Sequence, residues 1–180
     1  MSHPLSLSVR RRLPLIQGLV LDVDGVLTDG RLHYGPGTEE LKSFHVRDGH
    51  GIVRLLREKF LVGIISGRAG EATRRRLEDL GVSDIHLGVR DKGDVFANLL
   101  RRWGLVPSQV AVIGDDITDL PMMMTGALAI TVADGDRTLC AKAQWVTRSP
   151  GGAGAVREVA DALLFVRKRG RPHNQEDGLC

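Results

Sequence analysis

Four short apolar runs punctuate the chain, at Gly18 to Leu21, Leu61 to Ile65, Val110 to Ile113 and Leu128 to Val132. Their length and β-branched content predict buried strands. Between them, apolar residues recur at intervals of three and four: Ile52, Leu55 and Leu56, then Leu77 and Leu80, then Phe96, Leu99, Leu100 and Trp103, then Val156, Val159, Ala160 and Leu163. That spacing lines one face of a helix. Gly81 and Gly104 stand where helix C-caps are expected, and Pro107 follows soon after the second. Strands alternating with helices predict an α/β fold, a parallel sheet covered on both faces. One interval breaks the alternation. Arg31 to Tyr34 and Lys42 to Val46, joined by the turn-rich Gly35-Pro36-Gly37-Thr38, predict a β-hairpin directly after the first strand, with a disordered loop as the alternative. Residues 18–168 are thus expected to form one domain, with the hairpin inserted at 31–46. Residues 1–17 read as an N-terminal extension, and 169–180, where the periodicity has stopped, as a mobile tail.

Composition narrows the class. With 180 residues, 42% of them hydrophobic, the chain has the material for one core and no room for a second full domain. Two cysteines, Cys140 and Cys180, make no disulfide framework, so a reducing cytoplasm is the expected setting. No apolar stretch is long enough for a signal-peptide core or a membrane span. The formal net charge of +3 mildly favours anionic partners. Basic residues cluster at Arg10 to Arg12, Arg74 to Arg76 and Arg167 to Arg171 without interleaved aromatics, which argues against stacking on nucleic acid bases. Solvated helix faces and tails account for such runs.

The chemistry gathers at strand ends. The first apolar run ends in Asp22-Val23-Asp24-Gly25, where two carboxylates two residues apart share a face of an extended segment. In an open α/β sheet such an end is where ligands bind. Adjacent carboxylates repel unless a cation or a shared proton relieves them, and Mg²⁺ takes oxygen ligands. A loop start with polar caps would explain the pair equally well by itself. The third run ends in a second acidic cluster, Gly114-Asp115-Asp116-Ile117-Thr118-Asp119. There Asp119 could cap a helix beginning near Leu120-Pro121, while Asp115 and Asp116 have no obvious capping role. Ser66-Gly67-Arg68 follows the second run and precedes a helical segment, placing a hydroxyl and free N–H groups at a helix entrance. Lys92 opens another helix, where the dipole prefers anions, so its position makes sense if it serves a bound anion.

These residues in this order resemble the four motifs of the haloacid dehalogenase-like phosphatases. The resemblance implies a doubly wound, Rossmann-like parallel sheet, Asp22 as nucleophile, Asp24 as acid/base, Ser66 and Lys92 as phosphate holders, and Mg²⁺ at Asp22, Asp24 and Asp115. Asp116 and Asp119 would orient the metal shell or Lys92. A narrower similarity runs from about Leu19 to Leu164. Thr28-Asp29-Gly30, the hairpin, the stretch from Lys42 to Ile52 and the segment Gly151 to Glu158 resemble the 3-deoxy-D-manno-octulosonate 8-phosphate phosphatases. That implies no large cap domain and a homotetramer with hairpins at its centre. It also implies a phosphorylated 2-keto sugar acid as substrate, contacted by Asp24, Thr28, Ser66, Gly67 and Lys92. The third position of the glycine segment is often basic in that family, whereas here it is Ala153. A nine-carbon relative of the sugar acid therefore remains an alternative substrate. Arg47 and Arg68 are candidates for the substrate carboxylate, because guanidinium forks match carboxylates; surface salt bridges are the competing fate. A phospho-acceptor receiver module, which also combines acids, a hydroxyl, a lysine and Mg²⁺, is the alternative of another class. It lacks a reason for an acid/base at Asp24.

Overall fold

The computed structural model describes residues 5–35 and 40–170. Six parallel strands make the main sheet: β1 (Gly18–Leu21), β4 (Leu61–Ser66), β5 (Asp84–Leu87), β6 (Val110–Gly114), β7 (Leu128–Thr131) and β8 (Trp145–Val146), in the spatial order β5-β4-β1-β6-β7-β8. β2 (His33–Tyr34) and β3 (Glu40–Leu41) pair separately as an antiparallel ribbon. The helices are α1 (Leu7–Arg12), α2 (Val46–Arg57), α3 (Glu71–Asp79), α4 (Lys92–Trp103), α5 (Leu120–Met123), α6 (Arg137–Lys142) and α7 (Ala155–Gly170). Order reverses on either side of β1, so the β1, β4 and β6 ends border the crevice where ligands bind in doubly wound sheets.

Alternation along each strand divides the core. Leu19 and Leu21 of β1 face one layer with Ile64, Ile113, Ile52, Leu77 and Val159, whereas Val20 faces the other with Ile65, Val112, Phe96 and Leu99. Helices α1, α2, α3 and α7 thus cover one face, and α4 and α5 the other. Trp103 lies against Gly18 and Gly63, where a Cβ would come within 2.8 Å and 3.1 Å of its ring. Helix α4 starts at Asp91, which accepts from Asp94 N, and stops at Gly104, whose φ of 64° suits a residue without Cβ.

Several expectations need correction. The second hairpin strand lies at Glu40–Leu41 instead of Lys42 to Val46, because Lys42 leaves the ladder to bury its ammonium and Val46 already opens α2. The first is only His33–Tyr34, and of the expected turn only Gly35 lies within the described residues. β5 and β8 are additional edge strands; Asp84-Ile85-His86-Leu87 alternates in polarity and is half-buried, and β8 is two residues long. The segment before residue 18 is packed, with Val9, Leu13 and Ile16 buried in the larger core cluster. Helix α7 runs on to Gly170, and 171–180 lie outside the described residues. Among the described residues, a two-stranded ribbon and α2 are all that separate β1 from β4, so no large cap domain is present there. No helix among them is long and apolar enough to cross a membrane.

Helix α7 has no N-cap residue of its own that bonds its first turn. Asp48, buried on α2, takes that place: its carboxylate accepts from Gly154 N at 3.0 Å and Arg157 N at 2.7 Å. Replacing Asp48 by Ala should therefore lower unfolding free energy by about 2–4 kcal/mol, roughly 1–2 for each N–H left without an acceptor. Urea denaturation measures this, and an unchanged midpoint would mean that both N–H groups find other acceptors.

Candidate active site

Asp22 continues β1 by one residue, its N–H bonded to Ile113 O at 3.0 Å. The chain then turns sharply, with Val26, Leu27 and Thr28 all donating to Val23 O. Gly25 sits at φ 79°, and a Cβ there would overlap the Asp115 carboxylate. Only glycine satisfies both demands. The turn is backed from behind by Gly151 and Gly152. A Cβ on either would run into the Gly25 carbonyl or the Thr28 backbone, and Gly152 N bonds Val26 O at 3.0 Å.

The buried Lys92 ammonium bridges two acids, 2.8 Å from Asp22 Oδ2 and 2.7 Å from Asp119 Oδ1. The Val23 N–H donates to Asp22 Oδ1 at 2.7 Å. Asp119 is fully buried, and its other oxygen accepts from Asp115 N at 3.1 Å and Asp116 N at 3.3 Å. Asp119 therefore shapes the loop that carries Asp115. The capping role falls to Asp116, whose exposed side chain accepts from Ile117 N at 2.7 Å and starts the short 3₁₀ turn Ile117–Asp119. The capping role that the sequence left open to Asp119, and gave no sign of at Asp116, thus belongs to Asp116.

Ser66 ends β4 and is buried, its Oγ accepting from Arg68 N at 3.4 Å. A cavity of about 350 Å³ opens between the strand ends, with Asp22, Asp24, Ser66, Lys92 and Asp115 in its wall and Gly67 and Arg68 at its side. Two expected substrate contacts are not brought there. Thr28 Oγ1 is buried and accepts from Gly25 N and Gly30 N, so it braces the turn. Arg47 is exposed in the first turn of α2 and does not line the cavity. Arg90, exposed two residues before Lys92, does line it and was not singled out from the sequence. Nor were Lys42 and Glu40. An isolated cation directly after the hairpin, near an acid-rich strand end, is the only sequence signal they give.

Among the described residues, Asp22, Asp115 and Asp119 each place a carboxylate oxygen within 4.8 Å of the other two. The Asp24 carboxylate is outside this group and turns toward Lys42. One lysine cannot balance three acids. Burial, with Asp119 adding repulsion, pushes Asp22 from 3.8 up to about 6 despite Lys92. Burial and repulsion from Asp22, Asp119 and Asp116 push Asp115 to about 7. Burial alone would lower the Lys92 ammonium, but Asp22 and Asp119 outweigh it and hold it above its usual range. Crowded oxygen ligands that resist joint ionisation fit a hard divalent cation such as Mg²⁺. Asp22 and Asp115 line the cavity, whereas Asp119 is fully buried behind them, which leaves Asp22 and Asp115 to offer oxygens to an ion there.

A family model for haloacid dehalogenase-like hydrolases matches residues 83–159. The 3-deoxy-D-manno-octulosonate 8-phosphate phosphatase of Escherichia coli is 42% identical over 91% of this chain and 87% of its own length. The chain belongs to this phosphatase family. Its solved relatives share the fold. The structure from Yersinia pestis matches with a TM-score of 0.90 and 42% identity, covering 92% of this chain and 90% of that one. That of Moraxella catarrhalis, in complex with magnesium, phosphate and KDO, matches at 0.85 and 34% identity, covering 88% and 91%.

The raised carboxyls have a consequence for stability. A group whose folded pKa exceeds its unfolded one supports the fold fully below the unfolded value, and that support is lost as pH rises through the folded one. For Asp22 and Asp115 the loss spans the interval from 3.8 to about 7 in metal-free protein. Mg²⁺ competes with those protons, so the Tm increase on adding Mg²⁺ to chelator-treated protein should be larger at pH 8 than at pH 5. Calorimetry at both pH values reads it, and equal increases would contradict the assignment.

Proposed function

We propose that this chain hydrolyses 3-deoxy-D-manno-octulosonate 8-phosphate to the free sugar acid and phosphate through an aspartyl phosphate on Asp22. The observation that carries the proposal is the Asp22 carboxylate in the cavity wall. Lys92 orients it at 2.8 Å, and Asp115 stands near enough for both to share a cation. The names of the Escherichia coli and Moraxella catarrhalis relatives supply the substrate.

Asp22 attacks phosphorus in line with the departing sugar oxygen, while Ser66 and Lys92 donate hydrogen bonds to the phosphoryl oxygens. Asp24 gives a proton to the leaving oxygen. It then takes one from the water that cleaves the aspartyl phosphate, so one difficult displacement becomes two easier ones. Asp22, Asp115 and the Asp24 backbone carbonyl would hold Mg²⁺, whose positive charge would offset the negative charge of the phosphoryl oxygens. Asp119 keeps Lys92 and the Asp115 loop in place. Arg68, at the cavity side, is suited to the substrate's carboxylate. Cytoplasmic action in lipopolysaccharide precursor synthesis, as a homotetramer joined through its hairpins, completes the proposal. Exposed Tyr34 and Leu41 on the ribbon support the last element.

Two measurements test it. Phosphate release across eight-carbon and nine-carbon 2-keto sugar acid phosphates, with hexose phosphates as controls, should favour the eight-carbon compound in kcat/KM by more than about tenfold. A preference for the nine-carbon acid, or none, would overturn the substrate. Asp22→Asn should lower turnover by more than about a thousandfold while the protein stays folded, since it removes the attacking charge and almost no volume. Retained turnover would remove Asp22 from the nucleophile's place, and a single phosphate per chain in the unaltered enzyme would favour the receiver alternative.

A further inference from the structure

The hairpin delivers a charge into the site that the reaction as described does not use. Lys42 follows β3 directly, and its side chain is only 2% exposed. Its ammonium lies 2.6 Å from Asp24 Oδ1 and 3.3 Å from Glu40 Oε1. Glu40 is held in turn by Arg68 at 2.8 Å through its other oxygen. Asp24 Oδ2 is buried and has no hydrogen-bond partner.

An ammonium in so enclosed a place is costly unless paired, and here two carboxylates surround it. It does not line the cavity that Asp22, Ser66 and Lys92 share. Its geometric effect falls on Asp24. A carboxylate joined to the backbone through two rotatable bonds has several orientations, and a 2.6 Å contact to one oxygen removes all but a few. The oxygen left over, Oδ2, accepts no hydrogen bond and meets only the Arg68 guanidinium, 3.9 Å away at Nε.

Taking Asp24 as the acid/base of the proposed phosphatase, we infer that Lys42 is a positioning residue: it engages Oδ1 of Asp24 and thereby assigns proton transfer to Oδ2. In the first half-reaction an Asp22 oxygen bonds to phosphorus and the bond from phosphorus to the sugar oxygen breaks, its electron pair staying on that oxygen. The proton of Asp24 Oδ2 moves to it, leaving Asp24 a carboxylate. In the second half, Oδ2 takes a proton from water as the water oxygen bonds to phosphorus and the bond to Asp22 breaks, with its pair returning to Asp22. Glu40 balances the Lys42 charge, and Arg68 fixes Glu40.

Leaving-group chemistry separates this role from a structural one. A sugar alkoxide needs the proton from Asp24, whereas p-nitrophenolate departs without one. In Lys42→Met, first-turnover release of the sugar acid should slow about 100-fold, and release of p-nitrophenol from its phosphate by less than about threefold, the span that general acid catalysis commands. Lys42→Gln retains a donor and similar volume, and should show the same selectivity to a smaller degree in protein that folds even if Lys42→Met does not. Equal slowing of both substrates in the folded variant would overturn the assignment. A wild-type enzyme that cleaves neither phosphate would instead overturn the phosphatase proposal on which it rests.

Discussion

Everything at the end of this sheet depends on how one ammonium is shared among acids that repel each other. Lys92 contacts Asp22 and Asp119 simultaneously, and neither acid has more than marginal access to solvent. Removing either partner of a buried pair of this kind costs about 3–5 kcal/mol, because the remaining charge is stranded. The lysine is nevertheless outnumbered by Asp22, Asp115 and Asp119. The site is therefore electrostatically incomplete by design. It is held together by one cation of the chain and left short by the charge of another.

The fold makes that crowding possible. Strands β4, β1 and β6 are neighbours in the sheet, so Ser66, Asp22 and Asp115 emerge side by side although they are far apart in sequence. Lys92 reaches them from the first turn of α4, packed against the same sheet through Phe96 and Leu99. Glycine at position 25 lets the turn after Asp22 approach Asp115 more closely than any other residue would allow. The hairpin contributes from the opposite side, bringing Lys42 to Asp24 and Glu40 to Arg68. Rigid strand ends thus supply the reacting groups, and a small ribbon supplies the restraints.

Much of this was legible in the residues before any coordinates. The buried strands announce themselves as β-branched runs such as Val110 to Ile113, and the helix faces as spaced apolar residues such as Phe96, Leu99 and Trp103. Lys92 was conspicuous because it opposed the helix dipole, and its two acid partners explain why. What failed were assignments that depend on non-local partners. Of the two readings open to Asp119, an orienting partner of Lys92 and a helix cap, it is the cap that gives way, since its oxygens go to Lys92 and to two backbone N–H groups. Thr28 looked like a ligand contact, but its hydroxyl is consumed by its own turn. Lys42 read as part of a strand because nothing nearby in sequence says that a buried acid awaits it. The edge strand β5 was missed since half-buried alternation over four residues is a weak signal.

The glycine pair at 151 and 152 ties the beginning of the chain to its end. The turn after Asp22 rests on a surface made of these two residues, and Asp48 anchors the segment just after them by accepting from Gly154 N, 106 positions along the chain. Such long-range closure is slow to form, because the intervening chain must be ordered first. During synthesis, then, Asp22, Lys92 and the acidic loop all leave the ribosome before the support for the turn after Asp22 exists. A chain that stops before Gly151 would carry Asp22, Lys92 and Asp115 without the backing of the turn after Asp22. Competence is in this sense withheld until the chain has been made past Arg157.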